Sequence, residues 1–239
     1  MSLPPSAASA RSTYRHGDLR EALVEAGIAM ARSGGPDAVV LREATRRAGV
    51  SPNAAYRHFA DRQALLRVVS DAAQGMAADC MEAEIAAMQP STGTREPDAV
   101  APAAHAQPAQ PAPDPAAAPA AAARLLLRAV GTGYLRFARE EPGLFRTAFS
   151  VPDHLANSGD PAKAGAAGRT PFQILGAALD AWSAAGILPP ERRAYAELYA
   201  WSAVHGLGML VIDGPLRGLS DDLVDQASVR LLDMVERGL

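Results

Sequence analysis

The stretch Leu41-Arg42-Glu43-Ala44-Thr45-Arg46-Arg47-Ala48-Gly49-Val50-Ser51-Pro52-Asn53-Ala54-Ala55-Tyr56-Arg57-His58-Phe59 decides the fold. Ala44 and Ala48 fall on one helical face while Arg42, Arg46 and Arg47 take the other, the pattern of a short amphipathic helix. Gly49 then supplies the left-handed residue that ends a helix at least cost. Ser51-Pro52 pairs a hydroxyl N-cap with a proline at the first helical position, so a very short third helix is expected from Pro52 to about His58. Upstream, Leu19, Ala22, Leu23, Ala26 and Met30 recur at helical spacing from Asp18 until Gly34-Gly35-Pro36 stops them. Downstream, Asp61 can cap a long helix from Arg62 to about Met88 that carries Leu65, Leu66, Val69, Met76 and Met81. One longer helix followed by two short ones across a tight turn is the layout of a helix-turn-helix, whose second short helix enters a major groove. An ordinary αα-corner would leave the same pattern.

The rest of the chain is helical too. Residues 89–123 hold eight prolines and fourteen alanines and read as linker or insertion, with an uncertain helix start near Asp114-Pro115. Leu126, Val130, Tyr134 and Phe137 form an apolar stripe that stops at Glu141-Pro142-Gly143, and Leu144 to Phe149 fits one short helix. A Gly-, Ala- and Pro-rich loop from Val151 to Arg169 leads to Thr170-Pro171-Phe172-Gln173, a capping-box signature opening a helix to about Ala185. An eighth helix is expected from Glu191 to about Asp213, with Leu198, Trp201, Val204, His205, Met209 and Ile212 at helical spacing. Ser220-Asp221-Asp222 caps a ninth, carrying Leu223, Val224, Ala227, Leu231, Met234 and Val235. About nine helices and no convincing strand predict an all-α protein. Its expected parts are a disordered arm at 1–13, a helix-turn-helix domain at 14–61 and a larger helical domain at 62–239, the linker falling at about 89–118.

Charge sharpens the division. The 239 residues carry a net charge of −3, which as an average argues against a nucleic-acid partner. Residues 1–70, however, hold ten arginines against six carboxylates and are +4, which leaves −7 for the remainder. A basic end on an acidic body suits a module that meets polyanions joined to one with another task. Lys163 is the one lysine among 23 cations, read first as a bias of genomic composition. A single cysteine, Cys80, excludes an intramolecular disulfide, and neither a secretory signal nor an apolar run long enough to span a bilayer is found. A cytoplasmic protein is expected.

Three segments carry a resemblance: Tyr14-Arg15-His16-Gly17-Asp18-Leu19-Arg20, the stretch from Leu41 to Ser51, and Ala55-Tyr56-Arg57-His58-Phe59 followed by Asp61-Arg62-Gln63-Ala64-Leu65-Leu66. With their internal spacing, over about 55 residues, they resemble the N-terminal domain of the TetR/AcrR family of bacterial transcriptional regulators. Trp201-Ser202-Ala203-Val204-His205-Gly206, with Pro142-Gly143-Leu144-Phe145, is similar to the C-terminal region of a WHG-type subgroup. The resemblance implies an all-helical homodimer that pairs through its last two helices, binds an operator in double-stranded DNA and usually represses genes until a small molecule occupies the C-terminal domain. An activator or a helical interaction protein of the same fold is the alternative. By position, the resemblance implies DNA contacts for Arg42, Ser51, Asn53, Ala54, Tyr56, Arg57, His58 and Arg62. Tyr56, His58 and Arg62 would hold phosphates. Ala54 and Ala55 depart from the commoner Gly-Thr or Thr-Leu, which keeps an apolar contact to a thymine methyl and gives up a hydroxyl. Phe59 and Leu66 read as core, Arg46 and Arg47 as surface or weak phosphate contacts, and Arg11 and Arg15 are within reach of a minor groove.

The effector pocket implied between the middle helices has as candidates Met76, Cys80, Tyr134, Phe137, Phe145, Phe149, Phe172, Trp182, Trp201, His205 and Met209. Aromatics and methionines at helical spacing also fit plain core, and His205 fits either a ligand-orienting group or a core histidine bonded to a carbonyl. No enzyme is expected: His16, His58, His105, His154 and His205 have no metal-ligand spacing with each other or with Cys80, and no glycine-rich phosphate loop follows a strand. Neither cofactor nor metal is expected.

Overall fold

A computed structural model describes residues 16–88 and 117–239. The expected arm at 1–13, Arg11, Arg15, His105 and most of the Ala/Pro-rich linker lie outside these residues. Among those described there are ten α-helices and no strand: α1 (His16–Gly34), α2 (Leu41–Arg47), α3 (Pro52–Ala55), α4 (Arg62–Met88), α5 (Ala117–Glu140), α6 (Pro142–Ala148), α7 (Pro171–Ala184), α8 (Pro190–Arg193), α9 (Ala196–Ile212) and α10 (Asp221–Gly238).

The N-terminal unit closes on residues that the helical periodicity selects. Leu23 and Met30 of α1, Leu41 and Ala44 of α2, Ala55, Phe59 and the start of α4 at Leu65 and Val69 are all buried together. Gly49 has φ +68°, as a helix ending in a tight turn requires. At 27 residues, α4 is roughly 40 Å long. Its first half belongs to this unit and its second half to the larger domain. There α5 lies along it so closely that a Cβ on Gly133 would stand 2.6 Å from the Met81 Cα and 2.7 Å from the Cys80 carbonyl oxygen. Helices α7, α9 and α10 pack on the other sides of α5, and one continuous apolar cluster runs from α1 to α10.

Between the two units sits α6. It is wedged against α1 and α4, and Gly143 lets its first turn pass where a side chain would collide with the carbonyl oxygens of Ala31 and Arg32. Arg32 and Glu141 form an ion pair at 2.8 Å across the same junction. At the other end, the Ala148 carbonyl oxygen accepts hydrogen bonds from Ser70 Oγ and Gln74 Nε2 of α4, each 2.9 Å.

Local chemistry departs from the sequence reading at four points. The Ser51 and Ser220 side chains make no capping hydrogen bond, so proline at N1 and the acidic first turn carry those starts alone. Helix α3 closes at Ala55, with Tyr56 to His58 continuing as turns. The eighth helix, expected unbroken from Glu191, is split at Ala194 and Tyr195, which makes ten helices of nine. Tyr195 takes φ +63°, a left-handed conformation costing about 1–2 kcal/mol, and Arg193 holds the break by pairing with Asp180 of α7 and Glu197 of α9. Two expected caps are present: Asp61 accepts from the Ala64 amide at 2.8 Å, and Thr170 and Gln173 form the full capping box.

Candidate nucleic-acid interface and ligand cavity

The α2–turn–α3 segment presents one polar face. Arg42, Ser51, Asn53, Tyr56 and Arg57 are exposed, while Ala54, His58 and Arg62 are half-buried at its edge. Tyr56 leaves 58% of its surface open. Neither it nor Asn53, Arg42 or Arg57 makes a side-chain hydrogen bond or ion pair within the described residues. The neighbouring cations are used differently. Arg46 and Arg47 both bind Glu43, whose carboxyl they hold down at about 2. Arg62 donates to the Val39 and Pro36 carbonyl oxygens at 2.7 and 2.6 Å, which fixes the start of α4 on the loop before α2. Ala55 and Phe59 face inward and seat the short helix on the core, with Arg20 of α1 stacked over the Phe59 ring.

In the larger domain, α4, α5, α7, α9, α10 and the loop at 151–163 surround a cavity of about 540 Å³, within the usual range of small-molecule sites. Of the sequence candidates, Tyr134, Phe149, Phe172, Trp201 and His205 line it. The other six stand elsewhere. Phe137, Phe145 and Trp182 are fully buried core, Trp182 donating to the Ala123 carbonyl oxygen at 2.8 Å, while Met76, Cys80 and Met209 are half-buried beside that core. Cys80 lies against Arg136, and burial pushes its thiol up.

His205 centres an aromatic group. Phe145 stacks on its ring at 5.3 Å between centroids, Phe149 meets it edge-on at 5.0 Å, and its Nδ1 lies 3.0 Å from the Tyr134 hydroxyl. That hydroxyl also accepts from Trp201 Nε1 at 2.9 Å. Burial pushes the Tyr134 phenol above its ordinary range and the His205 imidazole below its own, so both groups are held neutral.

Lining residues that periodicity did not single out come from two sources. Arg128 and Glu236 are polar positions on α5 and α10 that turn inward because they pair with each other, at 2.9 Å. Asp153 and Lys163 come from the irregular loop, where no period exists to read. Lys163 is almost fully buried and donates to Asp153 and to the Asn157 carbonyl oxygen. Among the described residues, no group of three His, Cys, Asp or Glu side chains could hold a metal, and no helix is long and apolar enough to cross a membrane.

An exposed short helix on a compact three-helix core, tied by one long helix to a domain that surrounds an apolar cavity, defines a helix-turn-helix protein with a separate cavity-bearing domain. The profile described as bacterial regulatory proteins, tetR family, matches residues 23–69, and that described as tetracyclin repressor-like, C-terminal domain, matches residues 127–235. The chain belongs to the TetR family and is a transcriptional regulator that binds DNA. No curated protein matches it. Among solved structures, a protein of unknown function from Rhodococcus sp. RHA1 shares the fold with a TM-score of 0.61 and 23% identity, over 96% of this chain and 99% of that one.

Proposed function

We propose that this chain is a repressor which binds a palindromic operator as a homodimer in the cytoplasm and is released when a small, largely apolar molecule enters the cavity. The observation that carries the DNA contact is the face of α2 and α3: an exposed tyrosine, an asparagine and two arginines with no intramolecular use. Side chains of these types reach phosphates and base edges. In this reading Tyr56, His58 and Arg62 hold the backbone, and Asn53, Ala54 and Arg57 meet bases or their adjacent phosphates. Ser51 and Arg42 flank them.

Dimerisation is supported by the outer face of the last two helices. Tyr199 and Leu210 of α9 and Leu223, Val229 and Met234 of α10 are between 44% and 68% exposed, an apolar surface that a second copy would cover. Pairing α9 and α10 with their copies makes a four-helix bundle. It holds two recognition helices at the roughly 34–36 Å that successive major grooves demand.

The route from cavity to DNA runs through α6 and α4. Phe149 and Ala148 border the cavity, Ala148 is held by Ser70 and Gln74, and α6 abuts α1. An occupant that displaces Phe149 therefore moves α4 and the recognition helix with it. A releasing ligand that leaves the inter-domain geometry unchanged, measured by spin-label distances, would remove this step.

Selection of sites from a random duplex library by the full chain, with affinity followed against salt and mass by sedimentation, tests the operator and the dimer. A dimer, an enriched palindrome and a steep salt slope are expected. A monomer, or weak binding without sequence preference, would refute them.

A further inference from the structure

Resting on the cavity as the effector site, we infer that its ligand is an uncharged molecule with a flat apolar body and a hydrogen-bond acceptor, such as an aryl ketone, received by the Nε2–H of His205. The first argument concerns the tautomer. The Tyr134 oxygen accepts from Trp201 Nε1, which can only donate, and the phenol hydrogen has a single remaining neighbour, His205 Nδ1. If Nδ1 carried the proton, the buried phenol would keep an orphaned O–H, which is costly. Nδ1 therefore accepts, and the neutral ring carries its one hydrogen on Nε2. That atom has no partner among the described residues and belongs to a ring that borders the cavity. It is a fixed donor kept for an occupant.

The second argument concerns charge. The cations at the cavity wall are already neutralised: Arg128 by Asp233 at 2.6 Å and Glu236 at 2.9 Å, Lys163 by Asp153. An anionic ligand would have to compete with these carboxylates for a cation they already pair with. Gln74 Nε2, also on the wall, already gives one of its two hydrogens to the Ala148 carbonyl oxygen. Phe149 and Trp201 stand 5.0 and 5.9 Å from the His205 ring, and Phe172 lines the same cavity, flat apolar surfaces suited to an aromatic skeleton.

Titration of the full-length protein with three probes that share one skeleton separates the possibilities: 9-fluorenone, fluorene and fluorene-9-carboxylate. Fluorenone should bind three- to tenfold tighter than fluorene, the gain of one hydrogen bond, and the carboxylate weakest. His205→Phe should reduce fluorenone to the level of fluorene, while His205→Gln, which keeps a donor, should retain part of the preference. Thermal melting of both variants checks that they fold. Equal affinity for fluorenone and fluorene, or an unchanged preference in a folded His205→Phe protein, would overturn the assignment. A carboxylate that binds tightest would also overturn it while leaving the cavity as the effector site. Binding of no probe would remove both the assignment and the cavity reading, whereas the site-selection experiment stands apart from either.

Discussion

Tyr56 and Trp201 are both large aromatic residues, and they occupy opposite situations. Tyr56 stands open in the turn after α3 with no side-chain hydrogen bond among the described residues, while Trp201 lies half-buried on α9 with its N–H committed to Tyr134. The difference extends to the regions around them. The α2–α3 face is built from side chains that the fold does not need, placed by a few small residues beneath. The cavity wall is built from side chains that also hold the domain together, so an occupant would meet the same atoms that carry stability. A substitution on the first face should change binding alone, and one in the second region should change both.

The largest effect expected is at a core aromatic of the larger domain. Trp182→Ala removes a fully buried indole and its hydrogen bond to the Ala123 carbonyl oxygen, and should lower unfolding free energy by about 3–5 kcal/mol in a denaturant titration. A loss under about 1 kcal/mol would show that this layer is loosely packed and that the contrast with α3 is overdrawn.

Gly143→Ala tests the junction. In an exposed helix the change would be favourable, but here the methyl meets the Ala31 and Arg32 carbonyl oxygens, and a loss of about 1–3 kcal/mol is expected from the same titration. Operator affinity should fall with it, since α1 must shift to make room.

Tyr56→Ala sharpens the other side. Stability should stay within about 0.5 kcal/mol of the parent, because the ring is mostly exposed and makes no hydrogen bond among the described residues. Affinity for the selected operator should drop about tenfold or more, the range of a hydrogen bond to a charged group. Intact affinity in the variant would end the phosphate assignment.

The smallest effect is the pH dependence of His205. Its folded-state pKa lies below the ordinary value near 6.5, so the unfolded chain takes up the proton first as the solution is acidified. The contribution is complete above about pH 6.5 and is lost as pH falls from there toward the folded value. Stability measured from pH 7.5 to 5 should therefore decline more in the parent than in His205→Phe. Parallel curves would mean that the imidazole is not desolvated by its aromatic neighbours.

Much of this was legible in the residues. The repeat of small and apolar side chains every three or four positions determined each long helix, and Gly49, Pro52, Asp61 and Thr170 set several boundaries by backbone rules that act within one turn. The outward arginines of α2 followed from the same period. The sequence also named aromatics for the larger domain without sorting them, since Trp182 and Trp201 sit on equally apolar faces. Only the tertiary structure decided that one fills the core and the other borders a cavity, because that depends on which helix lies opposite. It alone set the inward turn of Arg128 and Glu236, the place of Lys163 in an aperiodic loop, and the break at Tyr195, where ion pairs to a neighbouring helix outweigh a locally helical sequence. Local propensity is written every few residues along the chain; partners brought together from a hundred residues away are not.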